Sequence, residues 1–345
     1  MKKEINRLEE AVIKIKNDYN IPGLVVGVFK RGKIVFSKAY GSANKELNVP
    51  VLTSTQFKLG SISKSFTAAA ILMLVEEKKL RLNDSISKFF IGAPSTWSDI
   101  TVTDLLAHKS GIKDYLDDEF SKKHGIFDSG QDFSEAEMIK KSYRLPLEFR
   151  PGKKFSYSNT NYMLLGFIIH KITGKFYYQF IKEKILEPLS MNSVRIYKNS
   201  KIVYNRSNGY ELLNGKIVKA RFVSDTFKNT ADGALYSDIF DMAKWDSELY
   251  DCKVLNRSIV RKMFDIHAPI KDSKYGYGFG WFINDKKTGK IVEHTGSGEG
   301  FTAVIKRDLG NKTTVSILTN LYRGDSEWIL AEAKNIVELA KDVYY

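Results

Sequence analysis

The chain has 345 residues, of which 43% are hydrophobic, enough to bury a large core in one composite domain or two closely packed ones. Its single cysteine, Cys252, excludes an intramolecular disulfide framework and a cysteine zinc cluster. Lysine and arginine outnumber aspartate and glutamate by 54 to 40, which gives a formal net charge of +14. Because the basic residues are spread along the chain without an aromatic and basic recognition module, we interpret this charge as a solvated surface and expect no nucleic-acid partner.

The sequence also bears on localisation. No apolar segment reaches the length that crosses a membrane, so we expect no transmembrane segment. Lys2 and Lys3 are followed by a charged stretch, residues 4–10, where a signal peptide needs an apolar core. As written, the sequence predicts a cytoplasmic protein, or an extracytoplasmic one if Met1 replaced a cleaved leader.

The N-terminal part predicts a helix followed by a hairpin. Apolar residues recur at helical spacing over residues 4–18, which predicts an amphipathic helix. The apolar stretch 24–29 and the following stretch 33–40 predict two strands joined by a tight turn. A loop through Pro50 then leads to the stretch around Ser61.

The remaining elements change in character along the chain. From about residue 80 to 200 the patterns are largely helical, with helices predicted from 101 to near 108–111, at 161–172 and at 176–186. Within this part, the polar segment 117–134 is either a mobile rim over a site or a solvated loop. Strands are predicted at 201–204, 209–213, 216–222, 278–283, 290–294, 301–307 and 313–320, with a closing helix at 326–343.

Strands near both chain ends and helices between them predict an α+β fold. In this fold an antiparallel sheet is flanked by the terminal helices and interrupted by an all-helical region. We expect a discontinuous sheet domain formed by residues 1–79 and 201–345, and a mainly helical domain formed by residues 80–200. The active site would lie in the cleft between them.

Ser61 and Lys64 form the first chemical motif. A glycine precedes Ser61 and an apolar run follows Lys64, a pattern typical of a tight turn that enters a buried helix. Residues three apart share a helical face, so the Lys64 amine can contact the Ser61 hydroxyl. A buried amine favours its neutral form and can act as a base for a serine nucleophile. The motif alone is also typical of an ordinary N-capped helix, so its meaning depends on the rest of the chain.

Two further motifs follow. Tyr157 and Asn159 lie in a polar turn before an apolar helix, where a phenol near an ammonium would have a lowered pKa and could act as a general base. The alternative is that Tyr157 only packs and Asn159 only caps the helix.

The third motif, His294-Thr295-Gly296, lies at the end of a predicted strand, where glycine permits close approach of a substrate to the strand edge. The alternative here is a glycine-rich hairpin turn.

In this order, Ser61-x-x-Lys64, Tyr157-x-Asn159 and His294-x-Gly296 resemble the motifs of the serine β-lactamase and penicillin-binding-protein superfamily. The resemblance is to the class C β-lactamase-like branch, which includes D-alanyl-D-alanine carboxypeptidases, D-aminopeptidases and esterases. Further segments that resemble this branch extend over nearly the whole chain: 101–111, 151–152, 172–174, 188–191, 231–237 and 275–280.

The resemblance implies roles for these residues. Ser61 would be the acylated nucleophile, Lys64 and Tyr157 would share its proton, and Tyr157 would later activate the deacylating water. Substrate would be bound by Asn159, His294, Thr295 and Gly296, and the backbone N–H groups of Ser61 and Ser297 would form the oxyanion hole. No metal or cofactor is implied, and the partner would be a small-molecule or peptide substrate that could derive from the cell wall.

One position departs from the family pattern. The third motif usually begins with lysine, whose ammonium helps to bind a substrate carboxylate, whereas this chain has His294. A histidine is mostly neutral at pH 7, which weakens that anchor. We therefore expect a serine hydrolase acting on an ester or a D-amino-acid peptide or amide bond. A β-lactamase, a penicillin-binding D-alanyl-D-alanine carboxypeptidase and a non-catalytic ligand sensor on the same fold are the alternatives.

Overall fold

The structure, a computed structural model, describes residues 2–228, 230–286, 289–341 and 343. The helices are α1 (Lys2–Asp18), α2 (Ser63–Glu76), α3 (Val102–Leu106), α4 (Asp118–His124), α5 (Glu135–Ser142), α6 (Asn159–Thr173), α7 (Tyr177–Ile181), α8 (Asp225–Lys228), α9 (Ile239–Asp251), α10 (Arg257–Phe264) and α11 (Glu327–Leu339). The strands are β1 (Gly23–Lys30), β2 (Lys33–Asn44), β3 (Val49–Pro50), β4 (Phe57–Lys58), β5 (Arg195–Ile196), β6 (Tyr210–Leu213), β7 (Lys216–Lys219), β8 (Leu235–Ser237), β9 (Ala268–Pro269), β10 (Gly276–Tyr277), β11 (Phe282–Lys286), β12 (Gly289–Gly298), β13 (Phe301–Asp308), β14 (Thr313–Thr319) and β15 (Leu321–Tyr322).

The main sheet joins the two ends of the chain. Among the described residues its strand order is β3-β2-β1-β14-β13-β12-β11-β10-β9, and each neighbouring pair is antiparallel. β1 lies directly beside β14, with Leu24 opposite Thr319. The predicted α+β fold with an antiparallel sheet is therefore confirmed.

Each face of this sheet is covered by helices because its strands are apolar on both sides. The terminal helices α1 and α11 pack on one face, where Leu8 and Ile336 are fully buried. The opposite face supports α9, whose Ile239 lies against Gly27 of β1. Trp245, also on α9, stacks on Phe66 of α2, with ring centroids 4.1 Å apart. This packing fixes α2, the helix that follows Ser61, against the sheet.

Several element predictions are wrong or shifted. No strand forms at 201–204, where Ile202 and Tyr204 are 85% and 81% exposed and so gain nothing from a sheet. The strand expected at 278–283 begins only at Phe282, since the left-handed φ of +79° at Gly280 belongs to a turn. Helices α9 and α10 occur where no helix was expected. In the predicted closing helix, residues 327–339 are helical. Residue 342 of that prediction lies outside the described residues, and so do residues 1, 344 and 345 of the expected sheet domain.

The polar segment 117–134 is not simply a solvated loop. It contains the short helix α4, and Ile126 and Phe127 behind it are buried. Phe127 makes an edge-to-face contact with Tyr115, with ring centroids 5.6 Å apart. The segment is thus anchored to the core by a few apolar side chains.

Among the described residues, none of the helices combines the length and the apolar composition that a membrane span requires.

Candidate active site

Ser61 lies in a single 3-10 turn, Gly60–Ile62, that runs directly into α2. Gly60 has a φ of +54°, a left-handed conformation that favours glycine. A Cβ atom at Gly60 would lie 2.6 Å from the backbone nitrogen of Ser297, so β12 passes very close to the turn. A Cβ atom at Gly296 would overlap the carbonyl oxygen of Leu59. Both glycines are therefore required for this approach of strand and turn.

Lys64 is fully buried and has three polar contacts. Its Nζ lies 3.0 Å from the Ser61 hydroxyl, 2.7 Å from the Asn159 side-chain oxygen and 2.8 Å from the backbone carbonyl of Asp232. Burial lowers the pKa of Lys64 to about 8, although the charges of Asp232 and Asp114 oppose this shift. In the neutral amine, both N–H groups can donate to the amide and carbonyl oxygens. The lone pair is then directed at the Ser61 hydroxyl.

Asn159 is the first residue of α6, and its side chain does not cap that helix. Its amide oxygen accepts from Lys64, and its Nδ2 donates to Asp114 over 2.8 Å. Burial raises the pKa of the Asp114 carboxyl. The amide is thus held in one orientation from both ends, and the capping alternative is wrong.

Asp232 lies on the other side of Lys64. Its carbonyl accepts the Lys64 amine, and its carboxylate accepts a hydrogen bond from the Tyr115 hydroxyl at 3.2 Å. The preceding carbonyl, that of Ala231, accepts from Thr67 of α2 at 2.7 Å. These bonds hold the 231–232 segment against the helix that carries Lys64.

Tyr157 reaches Ser61 from the third side. Interaction with the Ser61 side chain acts to lower the pKa of its hydroxyl, and the centroid of its ring lies 4.9 Å from Lys64 Nζ. The ring packs on His108 and Phe282, with centroid distances of 4.3 and 6.2 Å. Burial raises the pKa of the Tyr157 phenol well above its usual value. The expectation of a lowered phenol pKa is therefore wrong, because desolvation outweighs the interaction with Ser61.

His108 supports Tyr157 and was not expected at the site, although its segment carries part of the family resemblance. It is fully buried, and its Nδ1 accepts from the Ser158 backbone N–H at 3.2 Å. The Asn161 amide lies 3.1 Å from the same nitrogen. Burial, together with the charge of Lys64, lowers the pKa of His108 well below its ordinary value. The neutral imidazole of His108 therefore packs against the ring of Tyr157.

His294 is buried beside this group, and both of its ring nitrogens are engaged. Nδ1 lies 2.6 Å from the Thr295 carbonyl, to which it donates, so Nε2 accepts from the Tyr277 hydroxyl at 3.1 Å. Burial and the charge of Lys64 lower the pKa of His294 to about 3. The expectation of a neutral imidazole agrees with this shift. The Thr295 hydroxyl accepts a hydrogen bond from Ser326 at 3.0 Å.

The edge of β12 is open where it meets Ser61. Pairing of β12 with β11 ends at Glu293, while its other edge remains paired with β13 up to Gly298. The free edge from Thr295 to Gly298 therefore faces the Gly60–Ile62 turn, and the Ser297 backbone nitrogen lies next to it. This geometry suits a carbonyl oxygen bound between two backbone N–H groups.

The structure brings the three motifs to one place. It adds residues that sequence reasoning missed in this role, namely Asp114, Tyr115, His108, Asp232 and Tyr277. His108, Asp232 and Tyr277 lie in segments that carry the family resemblance, and that resemblance was the signal that could have found them. Asp114 and Tyr115 lie outside those segments, and no local pattern marks them. Among the described residues, no group of three or more His, Cys, Asp and Glu side chains could hold a metal ion.

Fold and site together define a protein of the serine β-lactamase and penicillin-binding-protein superfamily. The chain belongs to the Beta-lactamase family, whose model matches residues 5–335. It is 29% identical over 324 residues to Penicillin-binding protein 4* of Bacillus subtilis (strain 168), which covers 89% of this chain and 70% of that protein. It spans only 61% of the length of a curated relative from Staphylococcus aureus.

Solved structures show the same relationship. A penicillin-binding protein homologue from Pyrococcus abyssi, described as octameric, superposes with a TM-score of 0.84 at 30% identity, over 97% of this chain and 77% of that one. The D-amino acid amidase of Ochrobactrum anthropi SV3 superposes with a TM-score of 0.81, over 98% of this chain and 99% of that one. At 21% identity, the amidase shares the fold alone.

Proposed function

We propose that the protein is a serine hydrolase that forms a covalent acyl-enzyme on Ser61 and acts on an ester or a D-amino-acid peptide or amide bond. One observation carries this proposal: a fully buried Lys64, with a pKa lowered to about 8, lies 3.0 Å from the Ser61 hydroxyl. A base with a pKa near the working pH is the group that general-base catalysis requires. A purely structural lysine gains nothing from such a shift.

In the acylation step, Ser61 Oγ attacks the substrate carbonyl carbon while its proton passes to the Lys64 amine. The carbonyl oxygen becomes an oxyanion, which the backbone N–H groups of Ser61 and Ser297 would stabilise. When the tetrahedral intermediate collapses, the bond to the leaving group breaks. The leaving group takes the proton from Lys64 through the Tyr157 hydroxyl, which interacts with the Ser61 side chain.

In the deacylation step, water attacks the acyl carbon and the same groups work in reverse. Because its pKa is raised, the Tyr157 phenol stays protonated, and it acts by passing a proton from the water on to Lys64. The Asn159 amide holds Lys64, and its second Nδ2 hydrogen would donate to the carbonyl oxygen of the substrate's amide or ester group. The water ends as part of the product acid, and Ser61 regains its proton.

A β-lactamase or a penicillin-binding D-alanyl-D-alanine carboxypeptidase is the second candidate. The matches to proteins named as penicillin-binding favour it. Against it stands His294, which is neutral and uses both ring nitrogens within the protein, so that it offers no N–H to a substrate carboxylate. We therefore place the ester and D-amino-acid amide bond first.

Intact-protein mass spectrometry over time, with Ser61→Ala as the control, tests both candidates. The protein is mixed in turn with a penicillin, a short-chain p-nitrophenyl ester and a D-amino-acid amide, and the loss of each compound is followed in the same samples. A Ser61-dependent adduct or turnover with the ester or the amide supports the proposal. An adduct or turnover with penicillin alone selects the second candidate, and turnover that persists in Ser61→Ala would contradict both.

A further inference from the structure

A pocket of about 310 Å³ opens beside the candidate active site, and we call it the Arg206 pocket. Its walls are formed by Tyr197, Arg206, Arg221, Tyr236 and Glu299, together with neighbouring residues of the β6–β7 hairpin. Pockets of this size hold small ligands or single substrate groups. None of the motifs identified in the sequence includes its basic residues.

The Arg206 pocket adjoins the nucleophile through two short connections. Glu299 follows Ser297 by two residues at the end of β12, and Lys58 precedes Ser61 by three. Lys58 and Glu299 form a nearly buried ion pair that closes one wall. Two residues span at most about 7 Å of chain, so the wall that Glu299 forms lies within about that distance of Ser297. We infer that a substrate bound at Ser61 can extend a group into this pocket.

The charges of the pocket are unbalanced. Its acidic wall residue, Glu299, is neutralised by Lys58. Its basic residues are Arg206, Lys219 and Arg221. Lys219 pairs with Glu46 at 2.7 Å on the exposed side. Arg206 takes part in no ion pair among the described residues, and its charge favours an anionic group inside the pocket.

Arg206 is positioned as a receptor for such a group. Its guanidinium carbon lies 4.0 Å from the centroid of the Tyr197 ring, and its charge acts on the nearby Tyr236 hydroxyl, whose pKa is raised by burial. Its backbone is fixed by a bridge to Gln56, just before β4. The planar guanidinium carries more N–H donors than a single hydroxyl can use, and this fork matches a carboxylate.

We propose that the Arg206 pocket binds a carboxylate carried by the substrate, so that the preferred substrates are acidic esters or amides. This inference rests on the proposed hydrolase function and names its substrate class. The Arg206 guanidinium is then an anion-binding group at a position separate from His294. The carboxylate can belong either to the acyl part or to the leaving group, and the two sources share the same chemistry.

Matched ester pairs distinguish the two sources. For the acyl part, p-nitrophenyl hydrogen glutarate is compared with p-nitrophenyl valerate; for the leaving group, p-butyryloxybenzoate is compared with its methyl ester. In each pair the ratio of kcat/KM, acidic over neutral, is measured for the unmodified protein, Arg206→Gln, Arg206→Lys and the control Lys334→Gln. Lys334 is exposed on α11, on the far face of the sheet.

We expect the ratio to exceed one in at least one pair and to fall about tenfold in Arg206→Gln, the size typical of a hydrogen bond to a charged group. Arg206→Lys should restore part of it, and Lys334→Gln should leave it unchanged. The pair that responds identifies where the carboxylate belongs. A ratio of one or less in both pairs, or one that survives Arg206→Gln in a folded variant, would overturn the inference.

Failure of the proposed function has a different appearance, because then neither member of a pair is hydrolysed. In that case, ligand-detected NMR with levulinate, a carboxylate that carries a ketone and has no bond to hydrolyse, tests the pocket directly. Binding that weakens about tenfold in Arg206→Gln supports the pocket. Equal binding by both proteins refutes it.

Discussion

Asp114→Asn offers a direct test of how the site sets the pKa of Lys64. The Asp114 carboxylate accepts a hydrogen bond from Asn159, which in turn accepts one from Lys64. Its charge raises the pKa of Lys64, against the larger effect of burial. An asparagine has nearly the same shape, and its single side-chain oxygen can take the place of the oxygen that accepts from Asn159. The substitution then removes the charge and keeps this contact, while the Leu116 backbone N–H loses its acceptor.

The size of the effect follows from the geometry. Two hydrogen bonds of 2.7 and 2.8 Å and one amide group separate the Lys64 amine from the Asp114 carboxylate. At about 7 Å and an effective dielectric constant of about 20, two unit charges interact by roughly 2 kcal/mol. One pKa unit corresponds to about 1.4 kcal/mol, so the pKa of Lys64 should fall by one to two units.

This shift in the pKa of Lys64 determines in which direction the pH dependence of acylation moves. If neutral Lys64 is the base, the acylation rate rises with pH through its pKa, which is about 8 in the unmodified protein. A lower pKa in Asp114→Asn moves this rise to lower pH by one to two units. The assay is the second-order rate at which a fluorophosphonate reagent labels Ser61 at a series of pH values, with Asp272→Asn, at a strongly exposed side chain, as the matched control. A midpoint that stays in place or moves upward in a natively folded Asp114→Asn would refute this account of Lys64.

Three further substitutions give separate tests. Ser61→Ala should abolish labelling and ester turnover while circular dichroism stays native, whereas the exposed Ser98→Ala should retain both; turnover by Ser61→Ala would refute the nucleophile. Tyr157→Phe should slow acylation by roughly a hundredfold or more, as expected for a lost proton carrier, and stopped-flow ester kinetics that show an unchanged rate would contradict that role. Asp246→Ala should lower the free energy of unfolding by about 3 to 5 kcal/mol in urea titrations. The reason is that Asp246 and Arg307 form a fully buried ion pair, so the substitution leaves the Arg307 charge without its partner. A loss below about 1 kcal/mol would show that the ion pair is not needed for stability.

Much of the fold could be predicted because local patterns agreed with it. The stretches that became β1, β13 and β14 were predicted as strands, and they form the inside of the sheet, where they are buried on both faces. The errors arose where local preference had no partner or was overruled. Residues 201–204 have strand-forming side chains but no neighbouring strand. Helix α9 begins at Asp238, whose side chain accepts from the Asp241 N–H, and this capping signal was missed in the sequence.

In the candidate site too, some contacts follow from local sequence and others only from the tertiary structure. The spacing of Ser61 and Lys64 determined their contact, because one helical turn joins them whatever the rest of the chain does. Nothing local determined that Asn159 would hold the Lys64 amine from a distant helix, or that Asp114 would hold Asn159 in turn.

The sequence by itself therefore determined the family, the sheet made from both chain ends and the identity of the three motifs. Only the tertiary structure decided the protonation chemistry. The pKa of a group depends on its burial and on charges within a few ångströms, and both arise from residues far apart in the chain. Burial is what brings Lys64 to a pKa of about 8, raises the pKa of Tyr157 and keeps His294 neutral.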